Sequence, residues 1–357
     1  MKITSVCAYM EQLPLTKPYT IAYKTITDTE IVFLEIALEN GMAGIGASNP
    51  FEDVVGETPS QTLLNLQSDF IQTLVGKDIR HFNQLIDDVA KYFPHLPGTL
   101  AAVDIALHDA FCQWLQIPVV DFYGRKADAF PTSITIGIKT TAEMFEEAKA
   151  NYAAGFRILK IKTGLNVEED IERVTKLTEQ FGHNMHIRVD ANQGYTLDQL
   201  QQFIRQTKAL NIELIEQPMS VGKEALLQQL NGEERKLFAA DESLLDAITA
   251  MQLAQQPAPF GIFNIKLMKC GGIKGALEIA TIAKNSGINL FWGCNDESMT
   301  SITAALHAAY ACSNTKYLDL DGSFDLSKDL VEGGFTIKDG YMYCSTLPGL
   351  GLKKIDW

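Results

Sequence analysis

The stretch from Lys160 to Asp321 decides the fold of this 357-residue chain, because it repeats one pattern. Each repeat is a short apolar, β-branched run that ends in a charged side chain. The runs end at Lys160-Ile161-Lys162, Val189-Asp190-Ala191-Asn192, Ile215-Glu216-Gln217-Pro218, Ala240-Asp241-Glu242-Ser243, Asn264-Ile265-Lys266 and Asp319-Leu320-Asp321. The step from position 162 to 190 is 28 residues, and the next steps, to 216, 241 and 266, are 26, 25 and 25. One strand, one helix and two short loops fill such a step.

Repeated strand–helix units of this length predict an α/β fold, a modified (β/α)8 TIM-like barrel. Parallel strands need helical crossovers, and a closed sheet has no free edge strand. The predicted strands are Ser133–Ile138, Phe156–Lys162, His186–Asp190, Ile212–Glu216, Leu237–Ala240, Ile262–Lys266, Asn289–Trp292 and Tyr317–Leu320. Catalytic groups of such barrels lie at the C-terminal ends of the strands, which is where the charged residues of this repeat fall.

The residues outside the repeat predict a second unit. Residues 1–125 show alternating segments and then helical patterns, so we expect an N-terminal α+β capping domain there. The barrel is expected over residues 126–321. Residues 322–357 contain a hairpin pattern and are expected to return to the capping domain. Residues 13–29 are expected to form a long loop, and long ordered loops are often functional.

The composition limits the possible partners and compartments. The net charge is -14, from 30 basic and 44 acidic residues, which argues against nucleic acid or an anionic membrane as partner. We see neither a membrane-spanning apolar run of roughly 18 residues nor the apolar core of a secretory signal. The six cysteines are scattered, without a C-x-x-C pair. These features predict reduced thiols and a cytoplasmic location, and they do not name a substrate; a homo-oligomer is only an expectation.

Three acids at consecutive predicted strand ends form a candidate metal site. Asp190, Glu216 and Asp241 would converge at one edge of the barrel. Carboxylates without a histidine or cysteine suit Mg²⁺ or Mn²⁺ better than Zn²⁺. The alternative is three unrelated acids that cap the following helices, and the near-equal spacing favours the metal site.

Lysines stand on both sides of these acids in strand order. Lys160 and Lys162 are two residues apart on one strand and therefore point to the same side. Two close ammonium groups beside a metal ion predict that one lysine pKa falls toward that of a working base. Lys266 lies on the opposite side, so two lysines could remove a proton from one face of a carbon and deliver one to the other. Lys269 is predicted to be a surface residue at the helix start.

Together with Gly271-Gly272, these motifs resemble the muconate-lactonising branch of the enolase superfamily, and the resemblance covers nearly the whole chain. Sites of that superfamily combine a Lys or His base with Mg²⁺. The resemblance implies the metal ligands Asp190, Glu216 and Asp241, the acid/base catalysts Lys162 and Lys266, and the supporting residues Lys160 and Asn192. In that assignment Lys160 would lower the pKa of Lys162 and help to neutralise an enediolate.

Asp319-Leu320-Asp321 resembles the D-x-D pair of the dipeptide epimerases, which holds the free α-ammonium group of the substrate. The resemblance implies an isomerase that inverts the α-carbon of the C-terminal residue of a dipeptide through a metal-stabilised enediolate. One alternative is an enzyme similar to o-succinylbenzoate synthase or muconate cycloisomerase, although those substrates carry no ammonium group. Another is a metal or peptide binder without turnover, which would not need opposed lysines.

Substrate preference is the least constrained prediction. The resemblance points to Thr135 and Glu297 as candidate wall residues, and Lys24 is a candidate cation for an acidic substrate side chain. The segment Cys294-Asn295-Asp296-Glu297-Ser298 is more acidic than the Cys-Met-x-Glu-Ser of related proteins. This charge disfavours an acidic second residue. We therefore predict Ala-Xaa dipeptides with a small or apolar second residue, with L-Ala-D/L-Glu epimerisation as the alternative.

Overall fold

A three-stranded antiparallel sheet begins the chain. The computed structural model describes residues 1–21 and 24–355, and it describes side chains outside residues 17–26. The sheet consists of β1 (Ile3–Ile21), β2 (Lys24–Leu38) and β3 (Ala43–Ser48), in that order. β1 pairs with β2 from Ile3 opposite Leu38 to Ile21 opposite Lys24, so the two strands form one long hairpin.

Residues 13–21 and 24–29 continue this hairpin, so the predicted loop is wrong for these residues. The pairing shifts register between Pro14 and Tyr19, in a segment where proline has no N–H to donate. A further segment supports the extended backbone: the Thr16 N–H donates to the Asp325 carbonyl at 2.7 Å, and the Ser327 N–H donates to the Pro14 carbonyl at 2.9 Å. The hairpin thus reaches the residues that follow the last barrel strand, a partner more than 300 residues away.

Six helices cover the sheet and join it to the barrel. They are α1 (Glu52–Val55), α2 (Pro59–Leu66), α3 (Asp69–Gln72), α4 (Phe82–Tyr92), α5 (Pro97–Leu115) and α6 (Val119–Tyr123), with a 3-10 turn at Ile79–His81. α5 lies so close to β3 that a Cβ added at Gly46 would stand 2.0 Å from the Ala102 carbonyl oxygen. It is apolar nearly all round because it packs between the sheet and the barrel.

Eight parallel strands form the barrel, after a short strand β4 (Phe130–Pro131). They are β5 (Ile134–Ile136), β6 (Ile158–Lys162), β7 (His186–Asp190), β8 (Ile215–Glu216), β9 (Phe238–Ala240), β10 (Ile262–Ile265), β11 (Asn289–Trp292) and β12 (Thr315–Leu318). They are hydrogen-bonded in chain order. A bridge between Thr132 and Leu318 brings the first and last strands together. The predicted barrel is confirmed.

Helices follow seven of these strands. They are α7 (Thr141–Ala153), α8 (Val167–Phe181), α9 (Leu197–Thr207) with a 3-10 turn at Lys208–Leu210, α10 (Glu224–Leu227), α11 (Gly232–Arg235), α12 (Ala247–Leu253), α13 (Leu267–Cys270), α14 (Ile273–Asn285) and α15 (Met299–Tyr310). Between β12 and residue 355 the described chain forms strands and turns and no helix. The barrel is modified in this respect.

The C-terminal segment contacts both units. β13 (Val331–Gly333) pairs with β16 (Leu352–Lys354), while β14 (Phe335–Lys338) and β15 (Tyr341–Cys344) form the predicted hairpin. β15 also pairs with β4, so the hairpin itself lies on the barrel. The return to the capping sheet is made by flanking residues, since Asp109 of α5 accepts hydrogen bonds from the N–H groups of Ile45 and Leu350.

The structure bears on two further predictions, which concern the cysteines and membrane-spanning segments. All six cysteines are free, as the scattered pattern predicts. Among the described residues, every helix is too short or too polar to cross a membrane. The domain boundaries at residues 125 and 321 stay predictions.

Candidate active site

Three buried acids stand side by side at the C-terminal edge of the barrel. Asp190 ends β7, Glu216 ends β8 and Asp241 follows β9, and Asp190 and Glu216 are paired across the parallel strands. The Asn264 side chain donates from Nδ2 to Glu216 Oε1 at 2.8 Å. Burial, with the charges of Asp190 and Asp241, raises the pKa of Glu216 to about 8. The strand register therefore concentrates negative charge that other groups must balance.

Lys160 supplies part of that balance. Its Nζ lies 2.8 Å from Glu216 Oε2, 2.8 Å from Asp319 Oδ2 and 3.2 Å from Asp190 Oδ2. Burial disfavours its charge, but the three acids together raise its pKa well above the usual value. The predicted lowering of one lysine pKa beside a bound metal ion stays a prediction.

Lys162 and Lys266 flank the three acids. Lys162 Nζ lies 2.6 Å from Asp190 Oδ2, and Lys266 Nζ lies 2.9 Å from Asp241 Oδ2. Their side chains are 32% and 15% exposed, against 4% for Lys160. Burial opposes the charge of Lys266, but Asp241 and Glu216 hold its pKa above the ordinary value. The two lysines thus reach opposite ends of the acid cluster and are more accessible than Lys160.

Lys269 is buried in the site, and its predicted surface position is wrong. Its Nζ donates to the Asp241 carbonyl at 2.6 Å and to the Asn264 carbonyl at 3.2 Å, and it pairs with Asp241 Oδ1. Burial lowers the pKa of Lys269 below the ordinary value. The sequence signal is its spacing: Lys266 is the residue before α13 and Lys269 lies in the single turn of that helix, so the two side chains are close enough to reach the same carboxylate.

The two acids of the D-x-D pair have different surroundings. Asp319 is buried and accepts hydrogen bonds from Ser133 Oγ at 2.6 Å and from Lys160 Nζ at 2.8 Å. Burial opposes its charge, but Lys160 holds the pKa of Asp319 below its usual range. Asp321 accepts from the Thr135 main-chain N–H at 2.8 Å, and burial with the Asp319 charge raises its pKa to about 7. Thr135 therefore contacts Asp321 through its backbone.

The remaining predicted residues lie around this centre. The Asn192 N–H donates to Asp190 Oδ1 at 3.0 Å. Glu297 is buried and accepts from the Asn295 N–H at 2.8 Å, and burial raises its pKa to about 7. The Lys24 side chain lies outside the described residues, so its predicted role stays a prediction.

The acidic segment after β11 touches the capping sheet. Asn49 Nδ2 donates to the Asp296 carbonyl at 2.6 Å, and Asn295 Nδ2 donates to the Asn49 carbonyl at 3.1 Å. Thr29 Oγ1 also donates to the Asp296 carbonyl, at 3.2 Å. The capping unit therefore borders the site on the side of β11.

Sequence reasoning missed two buried residues that hold this constellation. The Gln217 side-chain oxygen accepts from the Asp241 N–H at 2.9 Å, and its backbone has a positive φ of 32°. Arg188 donates from Nη1 to the Leu318 carbonyl at 2.6 Å, inside the barrel. The sequence contained a signal for the position of each residue near the acids. Gln217 follows Glu216 directly, and Arg188 is two residues before Asp190, on the same side of β7.

The acid cluster fits a hard divalent cation by its chemistry. It offers three carboxylates, the donor type that Mg²⁺ prefers. Glu216 Oε2 is buried and makes no hydrogen bond, and its contact is the ion pair with Lys160 at 2.8 Å. Within the described chain, no three Asp, Glu, His or Cys side chains are gathered tightly enough to hold an ion as they stand. The Lys160 ammonium group lies between two of these acids, 3.2 Å from Asp190 Oδ2 and 2.8 Å from Glu216 Oε2.

Comparison with known proteins identifies the family. Residues 3–124 match the mandelate racemase / muconate lactonizing enzyme N-terminal domain, and residues 143–355 match the enolase C-terminal domain-like family. The chain belongs to the mandelate racemase and muconate lactonizing enzyme family. Both halves of this family architecture are therefore present, and the predicted enolase-superfamily membership is confirmed.

Individual members of the family cover the whole chain. An L-Lys-D/L-Arg epimerase of Desulforapulum autotrophicum is 49% identical, covering 99% of this chain and 100% of that protein. An L-Lys-D/L-Arg epimerase of Methylococcus capsulatus is 47% identical, covering 99% of each. The crystal structure of the Methylococcus capsulatus dipeptide epimerase, complexed with Mg and L-Arg-D-Lys, matches with a TM-score of 0.96, 46% identity and 99% coverage of both chains.

These members of the family also bear on the predicted activity. The predicted enzyme class, an isomerase of the epimerase type, is confirmed. The predicted preference for Ala-Xaa dipeptides with a small or apolar second residue gains no support from them, because both epimerases are named for basic residues.

Proposed function

We propose that this chain is a Mg²⁺-dependent epimerase that inverts the α-carbon of the C-terminal residue of a dipeptide. The observation that carries the proposal is the placement of Lys162 and Lys266 against Asp190 and Asp241, at opposite ends of one buried acid cluster. Inversion requires a proton to leave one face of a carbon and another to arrive at the opposite face. Two lysines on opposite sides of the substrate position can do this.

Asp190, Glu216 and Asp241 would hold the Mg²⁺. When bound, this ion would take the substrate carboxylate and stabilise the negative charge that develops on it during proton removal. The need is physical, because a C–H bond next to an ionised carboxylate is a very weak acid and only concentrated positive charge makes its anion accessible. Lys160, enclosed by three carboxylates, would contribute a further fixed positive charge.

Lys162 and Lys266 would share the proton transfers. For one epimer, neutral Lys162 accepts the proton of the α-carbon, and the ammonium group of Lys266 donates a proton to the opposite face. For the other epimer the roles are exchanged. General acid–base catalysis of this kind contributes about 10²- to 10⁴-fold to the rate.

The D-x-D pair would receive the free α-ammonium group. Asp319 is already engaged by Lys160 and Ser133, so Asp321 is the acid that would bind the ammonium group directly. Asp319 would contribute a second negative charge beside Asp321. Both acids lie on the side of β12, which the Thr132–Leu318 bridge joins to the first strand.

The substrate class that we propose is a dipeptide with basic side chains. Two relatives that cover 99% of the chain are named for Lys and Arg. The acidic segment Cys294–Ser298 borders the site, and a segment that repels an acidic side chain attracts a basic one. L-Ala-D/L-Glu epimerisation is the alternative, and it would need a cation beside the second residue.

Incubation in D₂O with Mg²⁺ tests both levels of the proposal. The substrates are L-Arg-L-Lys, L-Ala-L-Ala and L-Ala-L-Glu, and mass spectrometry with chiral chromatography follows deuterium and configuration at the C-terminal residue. We expect a one-dalton gain and epimerisation, fastest for L-Arg-L-Lys. Exchange only with L-Ala-L-Glu would refute the basic substrate class, and no exchange with any dipeptide would refute the epimerase.

A further inference from the structure

Lys269 is a buried lysine that the proton relay does not use. Its ammonium group donates to the Asp241 carbonyl at 2.6 Å, to Asp241 Oδ1 and to the Asn264 carbonyl at 3.2 Å. A lysine ammonium group has three donors, so all of them are engaged. With a side chain only 5% exposed, Lys269 has no donor left for a substrate.

The partners of Lys269 connect it to two of the three acids. Asp241 is one of its acceptors, and Asn264, whose carbonyl is another, donates from its side chain to Glu216 Oε1 at 2.8 Å. Gly293 leaves room for that side chain, because a Cβ there would stand 2.6 Å from Asn264 Oδ1. Lys269 therefore fixes Asp241 directly and Glu216 through one intervening residue.

Lys266, which precedes α13, and Lys269, within α13, contact different oxygens of one carboxylate. Lys269 engages Oδ1 of Asp241, and Lys266 lies 2.9 Å from Oδ2 of the same group. Because Lys269 also binds the main-chain carbonyl of Asp241, it restrains the rotation of the side chain relative to the backbone.

We propose that Lys269 is a positioning residue that orients the Asp241 and Glu216 carboxylates for Mg²⁺, an inference that rests on the proposed function. A group that hydrogen-bonds to a metal ligand on the side away from the metal orients that ligand. Removing such a group typically lowers the metal affinity about 10- to 100-fold. Lys269 makes the hydrogen bonds of such a group.

A purely electrostatic role makes the opposite prediction. Removing one positive charge from beside the acids leaves the site more negative, which strengthens its attraction for Mg²⁺. Removing a positioning residue weakens Mg²⁺ binding, because the acids lose their orientation. The sign of the change in affinity therefore separates the two roles.

The experiment measures metal binding in the absence of dipeptide. Mg²⁺ affinity is measured by titration calorimetry for the wild type, Lys269→Met and Lys269→Arg, and the electron paramagnetic resonance spectrum of bound Mn²⁺ reports the ligand geometry. Lys236→Met is the matched control, since Lys236 is 68% exposed and pairs with Glu233. We expect Lys269→Met to bind Mg²⁺ about 10- to 100-fold more weakly and to alter the Mn²⁺ spectrum, while Lys236→Met does neither.

The outcomes separate this inference from the proposed function. A folded Lys269→Met protein with equal or higher Mg²⁺ affinity overturns the positioning role. If Lys269→Met does not fold, Lys269→Arg decides: it keeps the charge, but its planar group cannot match the same three acceptors, so unchanged affinity overturns the role. A wild type that binds no Mg²⁺ overturns both proposals, whereas Mg²⁺ binding that is unaffected by either substitution overturns this one alone.

Discussion

The Ile273 N–H donates to Asp104 Oδ1 at 2.6 Å, although 169 residues separate the two in the chain. The Lys274 N–H also donates to this carboxylate, at 3.2 Å. Asp104 belongs to α5 of the capping unit, and its acceptors face the first turn of barrel helix α14. A side chain of one unit thus caps a helix of the other, and this side chain is fully buried.

Asp104→Ala should destabilise the protein by about 1–2 kcal/mol, because two N–H groups at the start of α14 lose their acceptor. Urea unfolding followed by circular dichroism measures the change. The exposed Asp198 in the first turn of α9 offers a matched control, and Asp198→Ala should change stability by less than about 0.5 kcal/mol. Equal effects of both substitutions would contradict the capping role.

Gly272→Ala should cost more stability than Gly41→Ala. Both glycines have positive φ, 102° and 84°, so each substitution strains the backbone by roughly 1 kcal/mol or more. Only at Gly272 would the new Cβ also meet a neighbour, the Asp104 carboxyl carbon at 2.5 Å, while Gly41 has open space around it. Thermal unfolding of the two variants provides the comparison, and indistinguishable losses would rule out the close approach.

His307 should make the protein less stable in mild acid. Burial, with Arg125 nearby, lowers the pKa of this histidine to about 3 from its ordinary value of 6.5, and its Nδ1 accepts from the Val120 N–H. Below pH 6.5 His307 is protonated in the unfolded chain but stays neutral in the folded protein. The free energy of unfolding therefore falls as the pH drops. Stability is fully present above pH 6.5, and by pH 5 the loss is about 2 kcal/mol.

The measurement for His307 is the difference between two pH profiles. Urea unfolding of the wild type and of His307→Gln is followed from pH 7 to pH 5. The variant lacks this titration, so the difference in unfolding free energy should change with pH even if the variant is less stable throughout. Parallel profiles would show that His307 does not titrate in this way.

Lys162→Ala and Lys266→Ala should separate the two directions of epimerisation. Each variant keeps one base and should therefore exchange the α-proton of one epimer only, with the other exchange reduced by about 10²- to 10⁴-fold. Deuterium uptake from D₂O, measured separately for the L,L and L,D dipeptides, tests this. Loss of exchange for the same epimer in both variants would mean that the two lysines do not act on opposite faces.

Asp321→Asn should weaken substrate binding more than turnover. A charge-assisted hydrogen bond to the α-ammonium group is worth about 1.5–3 kcal/mol, so KM should rise roughly tenfold or more while kcat changes less. An N-acetylated dipeptide lacks the ammonium group and serves as the probe. The wild type should discriminate strongly against it, and the variant should discriminate much less; equal discrimination by both would remove Asp321 from this role.

The acidic segment after β11 permits two interpretations of the substrate preference. The sequence indicated that the charge of Asp296 and Glu297 would disfavour an acidic substrate side chain, and this led to small or apolar residues. The same charge would equally favour a basic side chain, which is the substrate class that we propose. The sequence indicates the sign of the charge there, whereas the shape of the pocket that would discriminate between neutral and basic groups depends on tertiary packing.

The sequence by itself determined the barrel and the position of the acids. Strands, helices and loops of fixed length make a step of 25 to 28 residues, and the C-terminal ends of parallel strands meet at one edge, so Asp190, Glu216 and Asp241 had to be neighbours. Only the tertiary structure decided what holds them. The burial of Lys269, the Asp319–Ser133 contact and the Asp104 cap on α14 depend on the packing of residues that are distant in the chain or on separate elements, and local patterns carry no record of such packing.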